Sequence, residues 1–129
     1  MSGLREVRST TAQGKFGQTV SVGRHAFTAD EPEAKDGNDA GPAPHELLLS
    51  SLASCIAMTI QGYADRKGLV LRRVEVTVNG RHEGGAFLIE KHVDVDGDLD
   101  ARQLSRLLEI GEKCPVTRTM SNPIRIVTV

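Results

Sequence analysis

The sequence predicts an α+β fold, and we expect residues 1–129 to form one domain. Short stretches in which polar and apolar residues alternate occur before residue 30 and again after residue 70, as is typical of strands. Between them, residues 44–68 form one long apolar segment that does not alternate. A chain of 129 residues fits a single core, since domains commonly contain about 100–150 residues.

The first part of the chain predicts a small meander of strands. Three glycines divide residues 4–27 into short stretches such as Gln18–Val22, which alternates polar and apolar side chains. Residues 30–44 are rich in acidic residues, glycine, alanine and proline, and lack apolar periodicity. We therefore expect a loop there.

A long helix is predicted to follow this loop. Pro44 is suited to the first helical position, Glu46 to the positive end of the helix dipole, and Gly68 to the position after the last turn. This helix of about six turns is apolar nearly all round, so it should be buried on several sides. The few strands of one chain cannot cover it, which favours a C2 homodimer.

The remainder predicts a hairpin, a second helix and a last strand. Alternating residues 74–78 and 87–95 flank a Gly-Gly turn at 84–85. Asp100 and Gln103 resemble a capping box, and helical spacing extends from Leu104 to Cys114, which predicts that Cys114 lies on the apolar face of this helix. Pro115 should end or kink the helix, and the β-branched residues 124–129 predict a strand.

Composition excludes several classes of function. A formal net charge of −1 shows no basic surface for nucleic acid. The N-terminus has no signal-peptide pattern, and we expect no segment with the ~18 apolar residues of a membrane span. These features favour a cytoplasmic protein without a membrane partner.

The two cysteines are the residues most able to carry chemistry. Cys55 and Cys114 form no CxxC motif, and in a reducing compartment they are either working thiols or inert core residues. Ser51 and Thr59 lie one turn on either side of Cys55 and leave room for a ligand. Cys114 precedes Pro115, where a break in the helix can aim backbone N–H groups at the sulfur and favour the thiolate.

Two cysteine motifs carry a resemblance to a known family. Residues 41–55, GPAPHELLLSSLASC, and residues 113–116, KCPV, are similar to the two cysteine boxes of the OsmC/Ohr family, and further similarity occurs at residues 23–25, 29–32, 64–68 and 97–99. The resemblance implies an OsmC-like fold in an intertwined homodimer, with two active sites at the subunit interface. It also implies thiol-dependent reduction of hydroperoxides, preferably organic ones.

The resemblance further implies a role for each cysteine. Cys55 would attack the peroxide as a thiolate, and the resulting sulfenic acid would condense with Cys114 to form a disulfide. An external dithiol, which is lipoyl-like in some relatives, would reduce this disulfide. We expect no bound cofactor.

The sequence departs from the family pattern beside Cys55. Relatives use an arginine held by a glutamate ten residues before the cysteine, and His45 occupies that position here. Ten residues span about 15 Å of straight helix, so contact between His45 and Cys55 would need a bend or a bridging residue. Glu46, nine residues before Cys55, falls on the opposite helix face.

Arg24 is the candidate for the arginine. It shares strand parity with Val20 and Val22 and is predicted to point inward. The alternative is a surface charge beside a glycine turn. Other basic residues compete with Arg24 for the role, namely Lys15, Lys35 and Arg118.

Two other classes of function stay open. The chain could be a dimer that holds a small apolar ligand at the subunit interface, with weak or no peroxidase activity, or a structural dimer with inert core sulfurs. A metal site is not expected. Residues 94–100 lack the closing glutamate of a calcium loop, and His25, His82 and His92 lack paired zinc-ligand spacing.

Overall fold

The computed structural model describes residues 3–129 and confirms an α+β fold. The chain divides into two compact units, Met1–Leu48 and Leu49–Val129, and each contains one antiparallel sheet. The first long helix begins in the first unit and continues through the second.

The first unit contains the predicted meander. Its strands are β1 (Val7–Thr11), β2 (Gln18–Val22) and β3 (His25–Ala29), which pair in the order β1-β2-β3. Gly23 adopts a positive φ of 58° in the tight turn between β2 and β3, a conformation that glycine reaches without steric cost.

The predicted loop after β3 is organised by a buried carboxylate. Asp30 is 3% exposed and accepts hydrogen bonds from the backbone N–H groups of Glu31 at 2.7 Å, Asn38 at 3.3 Å and Ala40 at 3.1 Å. A single 3-10 turn, Glu33–Lys35, lies within this loop. Because a buried carboxylate is costly unless hydrogen-bonded, these three donors fix the loop around Asp30.

The long helix α1 spans Pro44–Arg66, close to the predicted bounds. By length and composition alone it could cross a membrane, which corrects the expectation that no such segment exists. The core helix of a soluble protein meets the same test. Four residues spaced four positions apart share one face of the helix and are buried in the core of the second unit: Leu52, Ile56, Ile60 and Ala64.

A long hairpin follows, as predicted. Strands β4 (Val70–Glu83) and β5 (Ala86–Asp98) pair antiparallel around the Gly84-Gly85 turn, in which both glycines have positive φ. Alternate valines of both strands, including the pairs Val74–Val95 and Val76–Val93, pack against the core of the second unit.

The second helix, α2, spans Ala101–Gly111 and has the predicted capping box. The backbone N–H of Gln103 donates to the Asp100 carboxylate at 2.8 Å, and the Gln103 side chain accepts from the N–H of Asp100 at 3.0 Å. At the other end, a Cβ on Gly111 would lie 3.0 Å from Cδ1 of Ile60. Glycine therefore allows the close approach of α2 to α1.

The structure corrects the predicted course of the chain around Cys114. Helix α2 ends at Gly111, and a third helix, α3, spans Pro115–Ser121 with Cys114 as its N-cap. Pro115 therefore begins a helix and does not end one, because the first helical position needs no N–H donor. Cys114 lies beyond α2 and is not a residue of its apolar face.

The predicted C-terminal strand is also wrong. Residues 124–129 form no regular element, and their apolar side chains are largely exposed, including Ile126 at 90%. β-Branched residues favour a strand only where a neighbouring strand pairs with them, and none pairs with this segment within residues 3–129.

Candidate functional site

The two thiols meet in the second unit. Cys55 lies in the middle of α1, is half-buried, and packs against the hydrophobic core cluster of this unit. Cys114 belongs to that cluster and is 1% exposed. Both are free thiols, they pack in one core cluster, and each shifts the pKa of the other. The 58 residues between them thus fold so that α1 meets the start of α3 at the two cysteines.

The local fold explains how Cys114 reaches this position. After α2, the N–H of Lys113 donates to the Ile110 carbonyl at 2.9 Å, which turns the chain before Cys114. Cys114 then takes the N-cap position of the next helix, where its side chain makes no capping hydrogen bond. The backbone N–H groups of Val116 and Thr117, at the start of that helix, nevertheless lower the pKa of Cys114.

These contacts favour the thiolate of Cys114. Burial raises the pKa of Cys114, but its interactions with the Cys55 thiol and with the N–H and hydroxyl groups of Thr117 outweigh the effect of burial. The net pKa of Cys114 is lowered, because donors that point at a sulfur stabilise its negative charge.

Cys55 shows the opposite shift. Burial raises its pKa, and its interaction with the Cys114 thiol raises it further, while the N–H of Val116 offsets part of the change. When the pair loses one proton, these shifts leave the remaining proton on Cys55 and place the negative charge on Cys114. Solvent access favours Cys55, however, because it is the more exposed of the two cysteines.

Thr117 is a site residue that the sequence analysis missed. Its Oγ1 is buried and has no hydrogen-bond partner in the part of the chain that the structure describes. The hydroxyl belongs to the surroundings of the Cys114 sulfur and contributes to the lowered pKa of that thiol. Thr117 is the third residue of α3, which begins at Pro115 directly after the N-cap Cys114. The rules for helix capping could have pointed to this position in the sequence.

Thr59 fixes the backbone at Cys55. Its hydroxyl donates to the Cys55 carbonyl at 2.7 Å, one turn earlier in α1. Such back-bonding holds the threonine side chain against the helix. Thr59 therefore lies one helical turn after Cys55, as predicted.

The other predicted site residues lie in different places. Arg24 is exposed in the turn between β2 and β3 and does not continue the parity of Val20 and Val22. His45 is exposed in the first turn of α1, and Glu46 accepts from the N–H of Ala43 at 2.7 Å. The roles of Arg24 and His45 stay predictions from the resemblance.

The competing basic residues also have defined surroundings. Lys15 pairs with Asp36 at 2.5 Å, Lys35 ends the 3-10 turn, and Arg118 lies exposed on α3. Within residues 3–129, no cluster of three or more His, Cys, Asp or Glu side chains is arranged to hold a metal ion.

Comparison with known proteins adds a family and a fold. The model of the family described as OsmC-like protein matches residues 36–129. No curated protein matches the chain. Among solved structures, an OsmC-like protein from Mycoplasma pneumoniae has a TM-score of 0.78 and 19% identity, over 95% of this chain and 90% of that chain.

Two further similar structures are named for organic hydroperoxide resistance. The OsmC protein from Legionella pneumophila has a TM-score of 0.66 and 17% identity, over 92% of this chain and 89% of its own. OhrB of Bacillus subtilis has a TM-score of 0.63 and 20% identity, over 92% of this chain and 90% of its own. At such identities the likeness shows a shared fold.

Proposed function

We propose that this chain, which belongs to the OsmC-like protein family, is a thiol-dependent peroxidase that reduces organic hydroperoxides through Cys55 and Cys114. The observation that carries the proposal is that two free thiols pack together, Cys55 half-buried in α1 and Cys114 buried at the start of α3. Similar structures named for organic hydroperoxide resistance give independent support.

In the first step, Cys55 attacks and Cys114 serves as its base. The proton of the Cys55 thiol passes to the Cys114 thiolate while the Cys55 sulfur bonds to the terminal peroxide oxygen. The O–O bond breaks, and the departing alkoxide takes the proton from Cys114 and leaves as an alcohol. Cys55 becomes a sulfenic acid, and Cys114 is again a thiolate.

In the second step, Cys114 resolves the sulfenic acid. Its thiolate attacks the Cys55 sulfur, an S–S bond forms, and the departing hydroxide takes a proton from solvent to become water. An external dithiol, of the lipoyl type or similar, then reduces the disulfide by thiol exchange and is itself oxidised. The peroxide is the only oxidant, and no bound cofactor takes part.

This mechanism gives Cys114 a part in activating Cys55, for which the family resemblance implies a glutamate-held arginine. A guanidinium stabilises a thiolate but accepts no proton. With His45 in place of the family glutamate, we assign removal of the Cys55 proton to the adjacent Cys114. The lowered pKa of Cys114 makes more of its thiolate available and also makes that thiolate a weak base. Because Cys55 starts protonated, we expect turnover to be slower than a preformed Cys55 thiolate would allow.

We also infer a soluble, cytoplasmic homodimer. Only Leu52, Ile56, Ile60 and Ala64 are buried among the 23 residues of α1, while Met58 is 66% exposed. A second copy would cover this apolar helix surface. The exposed apolar side chains of residues 124–129 favour the same conclusion.

The alternative, a dimer that binds a small apolar ligand with little peroxidase activity, has one specific observation in its favour. The raised pKa of Cys55 keeps the accessible sulfur in its less reactive thiol form. If Cys114 does not act as base, the Cys55 thiol stays inert towards peroxide. The two proposals therefore differ in whether Cys55 oxidises.

Trapping the oxidised forms tests the proposal. Reduced protein is treated with one equivalent of cumene hydroperoxide and analysed by mass spectrometry with and without dimedone, which captures sulfenic acid. Wild type should form the intramolecular Cys55–Cys114 disulfide, and Cys114→Ser should carry dimedone on Cys55. Unmodified cysteines in the wild type would favour the ligand-binding alternative.

A further inference from the structure

A groove of about 480 Å³ lies between the C-terminal end of α1 and the first turns of α2. Tyr63, Lys67 and Leu69 line one side, and Arg102, Arg106 and Glu109 line the other. All of these residues belong to the second unit, and neither cysteine lines the groove.

Positive charge is concentrated in this groove. Three cations and one carboxylate line it, although the whole chain has a formal net charge of −1. Arg106 lies 3.7 Å from Glu109, whereas Lys67 and Arg102 form no ion pair within residues 3–129. Two cationic side chains are thus available to an external anion.

Tyr63 stands at the centre of the cations. Its phenol oxygen accepts from Nε of Arg106 at 3.3 Å, and the Arg106 guanidinium and the Lys67 ammonium lie 5.6 Å and 5.7 Å from its ring centroid. These contacts hold the aromatic ring in place and leave it beside the apolar side chain of Leu69.

We propose that this groove binds a small organic oxyanion, a carboxylate or a phosphate monoester attached to a compact apolar body. Arg102 and Lys67 bind the oxyanion, since a guanidinium donates two parallel hydrogen bonds to either head group. The ring of Tyr63 and the side chain of Leu69 contact the apolar body. This site is separate from the cysteine pair and does not depend on the proposed peroxidase activity.

The chain contains a built-in reporter for this site. Tyr63 is the only tyrosine, and there is no tryptophan, so intrinsic fluorescence and tyrosinate absorbance both arise in the groove. The hydrogen bond from Arg106 lowers the pKa of Tyr63, while the partial burial of the phenol opposes this shift and the charges of Arg106, Lys67 and Arg66 add to it. A bound anion would offset these cations and raise that pKa.

The experiment titrates the full-length protein with cyclohexanecarboxylate and, in a second arm, cyclohexyl phosphate. Both probes lack absorbance that overlaps tyrosine, and cyclohexanecarboxamide is the uncharged control. We expect saturable changes in Tyr63 fluorescence with an anion, a raised Tyr63 pKa in its presence, and no effect of the amide. The arm that responds identifies the head group.

Matched variants complete the test. Arg102→Gln should weaken binding about fivefold, as expected for loss of one partly exposed charge contact. Arg72→Gln removes the same charge from the hairpin, outside the groove, and should leave the affinity unchanged. No saturable response to either anion, equal binding of the amide, or equal weakening by both variants would overturn the proposal.

Discussion

Cys55 in the middle of α1 packs beside Cys114, the N-cap residue of α3, and the pKa values of the two thiols shift in opposite directions. Since the pKa of Cys114 is lowered and that of Cys55 is raised, the first proton to leave the pair comes from the buried sulfur and the accessible sulfur keeps its proton. Peroxide can therefore reach Cys55, whereas the negative charge of the pair is stabilised on Cys114.

The first prediction concerns which cysteine ionises first. Raising the pH of the wild type should deprotonate Cys114 before Cys55, since the pKa of Cys114 is lowered and that of Cys55 is raised. In Cys55→Ala, loss of the neighbouring thiol should raise the pKa of Cys114. In Cys114→Ala, loss of the neighbouring sulfur and its charge should lower the pKa of Cys55 towards its ordinary value.

Ultraviolet thiolate absorbance, followed through a pH titration of each reduced variant, checks these shifts. Each single variant retains one thiol, and the ionisation of Tyr63 is followed separately by the longer-wavelength absorbance of its tyrosinate. A lower pKa for Cys55 in Cys114→Ala than for Cys114 in Cys55→Ala would contradict this order of ionisation.

Thr117 provides the second prediction. Thr117→Val keeps the shape of the side chain and removes the hydroxyl that interacts with Cys114. The pKa of Cys114 should rise, because the thiolate loses a group that stabilises its charge. Thr117→Ser, which keeps the hydroxyl, should restore the wild-type value.

The matched control is Thr119→Val, the same change at an exposed position of α3. Thiolate absorbance across a pH series, measured with each substitution in the Cys55→Ala background, provides the readout. If the Val and Ser variants at residue 117 behave alike, the hydroxyl has no role in placing the charge.

Sequence patterns predicted most elements correctly because those elements depend on local signals. The capping residues Asp100 and Gln103, the turn glycines Gly84 and Gly85, and Pro44 act through their immediate neighbours. The strand predicted for residues 124–129 was wrong for the opposite reason, because a strand requires a pairing partner that the local sequence does not specify.

The site was harder to predict than the fold. Apolar spacing continued from Leu104 to Cys114 and concealed the break at Gly111, so the capping position of Cys114 and the role of Thr117 were missed. The basic groove was missed because its cations come from two segments. Arg102 and Arg106 are one turn apart on α2, but only folding brings them to Tyr63 and Lys67.

The third prediction tests the core of the second unit. Leu107 is fully buried, whereas its neighbour Leu108 is 40% exposed. Leu107→Ala should lower the free energy of unfolding by about 2–5 kcal/mol, through lost burial and the cavity left behind. Leu108→Ala should cost less than about 1.5 kcal/mol. Urea denaturation followed by circular dichroism measures both, and equal losses would contradict the assigned packing.

The fourth prediction concerns assembly. Multi-angle light scattering should give twice the mass of the chain for the wild type, because the exposed apolar surface of α1 is covered in a dimer. Met58→Glu places a charge on that surface, where Met58 is 66% exposed, and should yield a folded monomer. A monomeric wild type would reject the dimer.

The measurement that tests the central claim most directly is stopped-flow consumption of cumene hydroperoxide and of hydrogen peroxide under an excess of dihydrolipoamide. Wild type, Cys55→Ser and Cys114→Ser are compared under identical conditions. We predict turnover that favours the organic peroxide, is abolished in Cys55→Ser, and is slowed in Cys114→Ser because no second cysteine remains to resolve the sulfenic acid of Cys55. Peroxide consumption by Cys55→Ser at the wild-type rate, or none by the wild type, would contradict the account.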